Sequence, residues 1–371
     1  YTQCTYEKGT VVQGSQEGWI EMKRCEYTEN GNAITCWEAN VVPGYEITKL
    51  MANNDNKERD LSAAITPEAG KFYNITLDKD KGYTDDGQGN YTVTSAEGLK
   101  NIAKLVNEQW NLGINITLTA DIDLSGTNWT PIGIDYNHQY AGTFDGGDHT
   151  ITGLTVTTSD QYAGLFGYIG SGGKVMNVVL EDVQITSDNS SGSVGGVAGN
   201  SWGTIENCSV SGSVSGTTFA GGVVGSQWGG SITGCSSSAT VKGVIFAGGI
   251  AGETNSGASL TGCYATDDVT VENDGTNNSH AGGVVGYNGG GTLTACYATG
   301  SVTGSGSGTI YVGGVTGSNN LGTLTACYHA KRNINGPNGT TGGVVGRNFK
   351  GLMPYGGIIT ACYWGDNGQT Q

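Results

Sequence analysis

From residue 161 onward the apolar positions follow neither a helical period nor simple alternation; they recur as a template. Gly164-Leu165-Phe166-Gly167 returns as Gly195-Gly196-Val197-Ala198-Gly199, Gly221-Gly222-Val223-Val224-Gly225 and Gly248-Gly249-Ile250-Ala251-Gly252. It continues as Gly282-Gly283-Val284-Val285-Gly286, Gly313-Gly314-Val315-Thr316-Gly317 and Gly342-Gly343-Val344-Val345-Gly346. A second element follows in the later units, from Ile205-Glu206-Asn207-Cys208 and Ile232-Thr233-Gly234-Cys235 to Ile359-Thr360-Ala361-Cys362-Tyr363. Seven units about 26 to 34 residues apart lie in the range of stacked-repeat architectures.

A propeller blade needs four strands in ~40 residues, whereas these units read as two or three short ones. The pattern predicts an all-β fold, a right-handed parallel β-helix (β-solenoid), with repeats over 161–371. The residue before each Cys is Asn, Gly or Ala, which suits a bend where a left-handed backbone is tolerated. Stacking would then line up Val, Ile/Leu and Cys columns inside the tube. Seven rungs at ~4.8 Å make a segment of about 34 Å.

Upstream, the period changes to that of a helix over 95–110. Thr94 and Glu97 form a capping-box pattern, and Leu99, Ile102, Ala103, Val106 and Trp110 fall on one face. Such a helix is expected to cap the open core of the first coil, followed by lead-in coils over 114–160. The solenoid domain is thus read as 91–371. Residues 81–90 read as a charged, Gly-containing linker, and 1–80 as antiparallel strands, with candidates at 18–22, 45–48 and 71–77.

Composition narrows the function. The 66 glycines lack a collagen period. A net charge of −16 argues against nucleic acid and against docking on anionic lipid. No apolar run approaches the ~20 residues that span a bilayer, so no direct membrane insertion is expected. The chain opens on Tyr1-Thr2-Gln3, which reads as an exported protein met part-way along a longer chain.

Six of the nine cysteines hold one repeat position. In-register parallel neighbours lie ~4.8 Å apart with parallel Cβ vectors, which disfavours disulfides. No Cys-x₂-Cys pair offers a zinc site. Packing as small hydrophobes is the expected role. One disulfide among Cys4, Cys25 and Cys36 stays open.

The unit Gly282-Gly283-Val284-Val285-Gly286-Tyr287-Asn288 with Leu293-Thr294-Ala295-Cys296-Tyr297 closely resembles the GLUG motif, a repeat of bacterial cell-surface proteins. The lead-in Leu118-Thr119-Ala120-Asp121-Ile122-Asp123-Leu124, Trp129-Thr130-Pro131-Ile132-Gly133 and Phe144-Asp145-Gly146 is similar to what precedes such arrays. The stretch Glu68-Ala69-Gly70-Lys71-Phe72-Tyr73-Asn74-Ile75-Thr76-Leu77 resembles the last strand of the fimbrillin-like domains of Bacteroidales surface proteins. That likeness implies a partial β-sandwich over 1–80, fimbrial subunits or an outer-membrane anchor as partners, and a place on the bacterial surface, including a fimbrial tip.

No catalytic constellation emerges. None of His138, His149, His280 and His329 lies in a His-Glu-x-x-His helix, so a peptidase is not expected. The cluster Asp145, Asp148 and His149 has turn spacing, and the acids of the linker miss the EF-hand pattern. No cofactor or metal is expected. Candidate ligand contacts are aromatic. Trp202, Trp228 and Phe349 each follow the closing Gly of a unit by three residues, and Tyr264, Tyr297 and Tyr328 follow the Cys. Turned outward, they would offer flat apolar faces to a glycan or to a host or bacterial surface protein. The alternative is that they cover turns and pack between coils. An adhesion protein is the leading expectation. A carbohydrate-active β-helix enzyme and a non-binding spacer are the rivals.

Overall fold

The structure, a computed structural model, describes residues 81–330, 333–336, 340–349 and 356–365. It also describes the segments 2–7, 10–17, 23–29, 32–38, 47–52 and 57–66 and residue Glu68. The chain divides into two compact units, Tyr1–Lys79 and Asp80–Gln371.

In the first unit Thr2–Glu7 pairs with Thr10–Glu17, Lys23–Glu29 with Asn32–Glu38, and Ile47–Ala52 with Lys57–Ile65, all antiparallel. Cys25 and Cys36 are register partners in the second of these hairpins. The strands expected at 18–22 and 71–77 lie outside the described residues.

The second unit is a parallel β-solenoid with four strand faces per coil, more than the two or three strands read from the sequence. The first face runs from Tyr162–Ala163 to Thr340–Gly342, and the second from Phe166–Ile169 to Val345–Phe349, seven strands each. The third face carries the three-residue strands that end each template, such as Ser231–Thr233 and Thr292–Thr294. The fourth is longer and bent, as in Ser209–Gly216 and Ser236–Gly243. Strands of two to four residues give hydropathy periods too few positions to register, so the sequence undercounts them.

The glycines of the template answer to crowding, not to turn geometry. At Gly222, Gly249 and Gly283 a Cβ would overlap the carbonyl oxygen of the matching glycine one rung on. None of the three has a left-handed φ. This close approach lets Val223, Ile250, Val284 and Val315 stack fully buried behind the corner. Each such aliphatic side chain contributes about 1.5–3 kcal/mol by leaving water.

Left-handed backbone belongs instead to the residue before the cysteine. Asn207, Gly234, Gly262, Ala295, Ala326 and Ala361 all have φ between 52° and 63°. This bend turns both Ile232 and Cys235, or Leu293 and Cys296, into the tube. Cys208, Cys235, Cys263, Cys296 and Cys327 are buried free thiols in one column, and Val178 starts that column one rung earlier. The Cys235 thiol donates to the Thr233 carbonyl at 3.5 Å. Hydrogen bonding along the thiol stack, with burial added, pushes the Cys235 and Cys296 thiols far above their ordinary range.

The helix spans Ala96–Gln109 and its N-cap is Ser95, whose hydroxyl accepts from the Gly98 N–H at 3.2 Å. The expected box of Thr94 and Glu97 is thus displaced by one residue. Leu99, Ile102, Ala103 and Val106 join the core that includes Ile116 and Leu118, so the helix covers the first coil. Asn107 pins it there, donating to the Pro131 carbonyl at 2.9 Å and accepting from the Gly133 N–H at 2.8 Å. Trp110 departs from the expected apolar face. It is the left-handed C-cap, 58% exposed, with its ring 4.2 Å from that of His138.

The expected linker is also structured. Tyr83–Asp85 and Asn90–Val93 form a hairpin whose second strand runs parallel to Asn115–Leu118 on the third face. Asp86 sits in its turn and accepts from the Asn90 side chain and the Gln88 and Asn90 amides, which holds its carboxyl below the usual range.

Candidate aromatic binding surface

Each rung adds one residue to every outward column, so aromatic residues at one template position must stack. Trp202 and Trp228 do, with ring centroids 6.0 Å apart and planes 14° from parallel, both about 40% exposed. Phe349 shares their column, but Asn255, Gly289 and Asn320 intervene. It lies instead against Arg347, whose guanidinium sits 4.7 Å from its ring centre and 4.8 Å from that of Tyr311.

Tyr264, Tyr297, Tyr328 and Tyr363 form a continuous ladder on the fourth face, with centroids 4.9–5.0 Å apart and planes within 6°. Tyr297 and Tyr328 therefore have both ring faces covered by neighbours. They present edges and hydroxyls to solvent, not the flat faces anticipated from the sequence.

A second ladder was not singled out by sequence. Phe219, Phe246, His280 and Tyr311 stack along the first face at 5.1–5.2 Å. The column passes from Phe to His to Tyr, which hides it from a repeat search. Burial, with the Arg347 charge added, lowers the His280 pKa to about 4. Its Nδ1 lies 2.7 Å from the Ser318 hydroxyl.

The free aromatic faces gather around a loop outside the template. Ile132 and Tyr140 both bridge to the strand Phe166–Ile169, so the residues between them are thrown outward from the second face. Gly133 starts this excursion at φ 72°, and a Cβ there would lie 2.7 Å from the Tyr168 carbonyl oxygen. Asp135 organises the loop by accepting from the Asn137 and His138 amides and pairing with His138 Nδ1 at 2.9 Å. Burial works against the Asp135 charge, but these hydrogen bonds outweigh it and hold the carboxyl below its ordinary range.

Tyr136 at the loop tip is 65% exposed and stands edge-to-face on Tyr168 at 5.9 Å and 87°. Tyr168 is itself buried and meets Tyr162 at 5.3 Å and 89°. Its register partner one rung on is Asn200, two residues before Trp202. Tyr136 on Tyr168 and the pair Trp202 and Trp228 thus lie along successive rungs of the second face. Trp110 flanks the same loop through His138.

The remaining chemistry is sparse. Gly147 donates to Asp145 and His149 pairs with Asp121, so the Asp145/Asp148/His149 cluster is a turn. A shallow depression of about 330 Å³ on the fourth face is lined by Ser209, Ser211, Ser236, Ser238, Tyr264 and, as its one carboxylate, Glu181. A glycosidase centre uses two carboxyl groups. Among the described residues, no group of three or more His, Cys, Asp and Glu side chains could hold a metal ion. No helix there is long and apolar enough to cross a membrane.

The family model of the GLUG motif matches three of these rungs, residues 190–215, 216–242 and 277–303. Halomucin of Haloquadratum walsbyi is 33% identical over 183 residues, covering 46% of this chain and 2% of halomucin. A protein of Evansella cellulosilytica, provisionally named a Gly-rich membrane protein, is 36% identical over 123 residues, 32% of this chain and 14% of that one. This chain therefore spans only a small part of the relatives it matches.

Among solved structures, a Bacteroides ovatus protein with the provisional name of immunoglobulin A1 protease superposes with TM-score 0.53 at 21% identity. That match covers 70% of this chain and 84% of the other. An IgA1 protease superposes with TM-score 0.51 at 17% identity, over 96% of this chain and 28% of its own. At these identities the likeness is one of fold. The chain is a β-solenoid that carries GLUG-motif repeats.

Proposed function

We propose that this is a cell-surface adhesion protein whose solenoid holds a fixed aromatic patch against a glycan or protein of another surface. The observation that carries the reading is the set Tyr136, Trp202 and Trp228, three large aromatic side chains left 40–65% exposed along successive rungs of the second face. Exposed aromatics held rigidly bind at small entropic cost, because little conformational freedom is lost on contact. The acidic surface, at net charge −16, keeps such a protein soluble and turns away anionic lipid.

Relatives named halomucin and a Gly-rich membrane protein support a place at the cell surface. The fimbrial position and its partner subunits, implied by the likeness of residues 68–77, belong to the same proposal. A glycan-array and surface-protein binding screen tests it, with Trp202→Ala and Trp228→Ala as controls. Binding that both substitutions weaken is expected. No binding to any panel member, together with measurable polysaccharide cleavage, would replace adhesion by an enzyme.

A further inference from the structure

The aromatic patch differs from the two ladders in one physical respect. A ring inside a stack has its faces occupied and can offer only edges, as at Tyr297 and Tyr328. Tyr136 stands perpendicular to Tyr168 and is 65% exposed, and Trp228 has a tryptophan on one side only, with Asn255 next in its column. These two side chains keep an open ring face. An open aromatic face beside amide groups matches a pyranose ring, which has an apolar C–H face and a polar hydroxyl edge.

Charge selects among sugars. The loop 134–139 and the turns 199–203 and 225–230 contain no Lys or Arg and one carboxylate, Asp135. Hydrogen bonds hold that carboxylate in its charged form. Sialyl, uronic or sulfate groups would meet an anion here, on a protein of net charge −16, with no cation in these segments to compensate. The exposed Asn137 side chain supplies a neutral rim next to Tyr136.

Building on the proposed adhesion role, we infer that Tyr136, standing on Tyr168, and Trp228, stacked on Trp202, form the binding site for an uncharged oligosaccharide. The stacked tyrosine ladder on the fourth face is not part of it.

The test uses the full chain in titrations against uncharged hexose and N-acetylhexosamine oligomers of about two to six units, with sialylated and sulfated counterparts. Tyr136→Ala, Trp228→Ala and Tyr297→Ala are compared, and each variant is first shown to keep the wild-type thermal transition. Trp202 is avoided because Trp228 stacks on its ring, so its loss would also move Trp228. The inference expects uncharged oligomers to bind, with a loss of about tenfold or more for Tyr136→Ala and Trp228→Ala and less than about twofold for Tyr297→Ala. Tighter binding of the charged counterparts would overturn it, as would a loss confined to Tyr297→Ala. If no oligosaccharide binds but a surface protein does through Trp228, this inference falls and the adhesion reading stands. If neither binds, both fall.

Discussion

The Cys263 thiol donates to the carbonyl oxygen of Ile232 at 3.4 Å, one rung earlier in the tube. The same bond recurs from Cys296 to Leu260 at 3.6 Å and from Cys327 to Leu293 at 3.6 Å. A cysteine at this position fills a small apolar gap and also satisfies part of a backbone group on the neighbouring coil. Alanine could do only the first in part. Cys263→Ala is expected to cost about 1–2 kcal/mol, read from chemical denaturation.

Burial also shields these thiols. In the native protein an alkylating reagent should modify Cys362, which is partly exposed at the last rung, while Cys208, Cys235, Cys263, Cys296 and Cys327 react only on unfolding. Peptide mapping after native and denatured alkylation reads this directly. Native labelling of Cys263 would mean the tube is open.

Two kinds of glycine should respond differently to the same substitution. Gly249→Ala places a Cβ on the Gly283 carbonyl and against the Ala265 side chain, so a loss above about 3 kcal/mol or failure to fold is expected. Gly262 has φ 63° and open space around its Cβ position, so Gly262→Ala should cost only about 1 kcal/mol. The reverse change, Ala326→Gly at φ 54°, should be stabilising by up to about 1 kcal/mol. Thermal melts of the three variants give the order.

The His280 pKa, lowered to about 4 by burial and by Arg347, makes stability depend on pH in a defined direction. Between the unfolded pKa of about 6.5 and the folded value, only the unfolded chain takes up the proton. Stability from this group is therefore complete above about pH 6.5 and falls as pH drops toward 4, by roughly 3 kcal/mol in all. Glu253 is buried and shifted upward, so it acts in the opposite sense. The prediction is accordingly a difference. His280→Phe, which keeps the stack between Phe246 and Tyr311, should lose less stability than wild type between pH 7 and pH 4.5.

The sequence carried the repeat well and its surroundings poorly. Val223 with the glycine pair before it, and Cys235, recur from coil to coil, so their columns could be read from spacing alone. The stacking of Trp202 on Trp228 followed from the same logic. The loop around Tyr136 interrupts the template, and nothing in a periodic pattern marks an insertion as a platform. Trp110 kept the helical spacing of the buried face but falls on the left-handed cap, where the chain turns it outward. Asp85 and Asp86 read as linker because charged, Gly-rich sequence also serves a hairpin turn. The covered faces of Tyr297 and Tyr328 follow from stacking, a consequence of the repeat that counting exposed aromatics does not capture.

The central claim is that like positions sit rung over rung in one register, which is what fixes the aromatic residues in place. Thr233 and Thr360 hold the same outward position on the third face, four rungs apart through Thr261, Thr294 and Thr325. With spin labels on Thr233→Cys and Thr360→Cys, the electron–electron distance should form one narrow distribution near about 19 Å, allowing for the label arms. A broad distribution, or a mean beyond about 30 Å, would contradict the stacked tube.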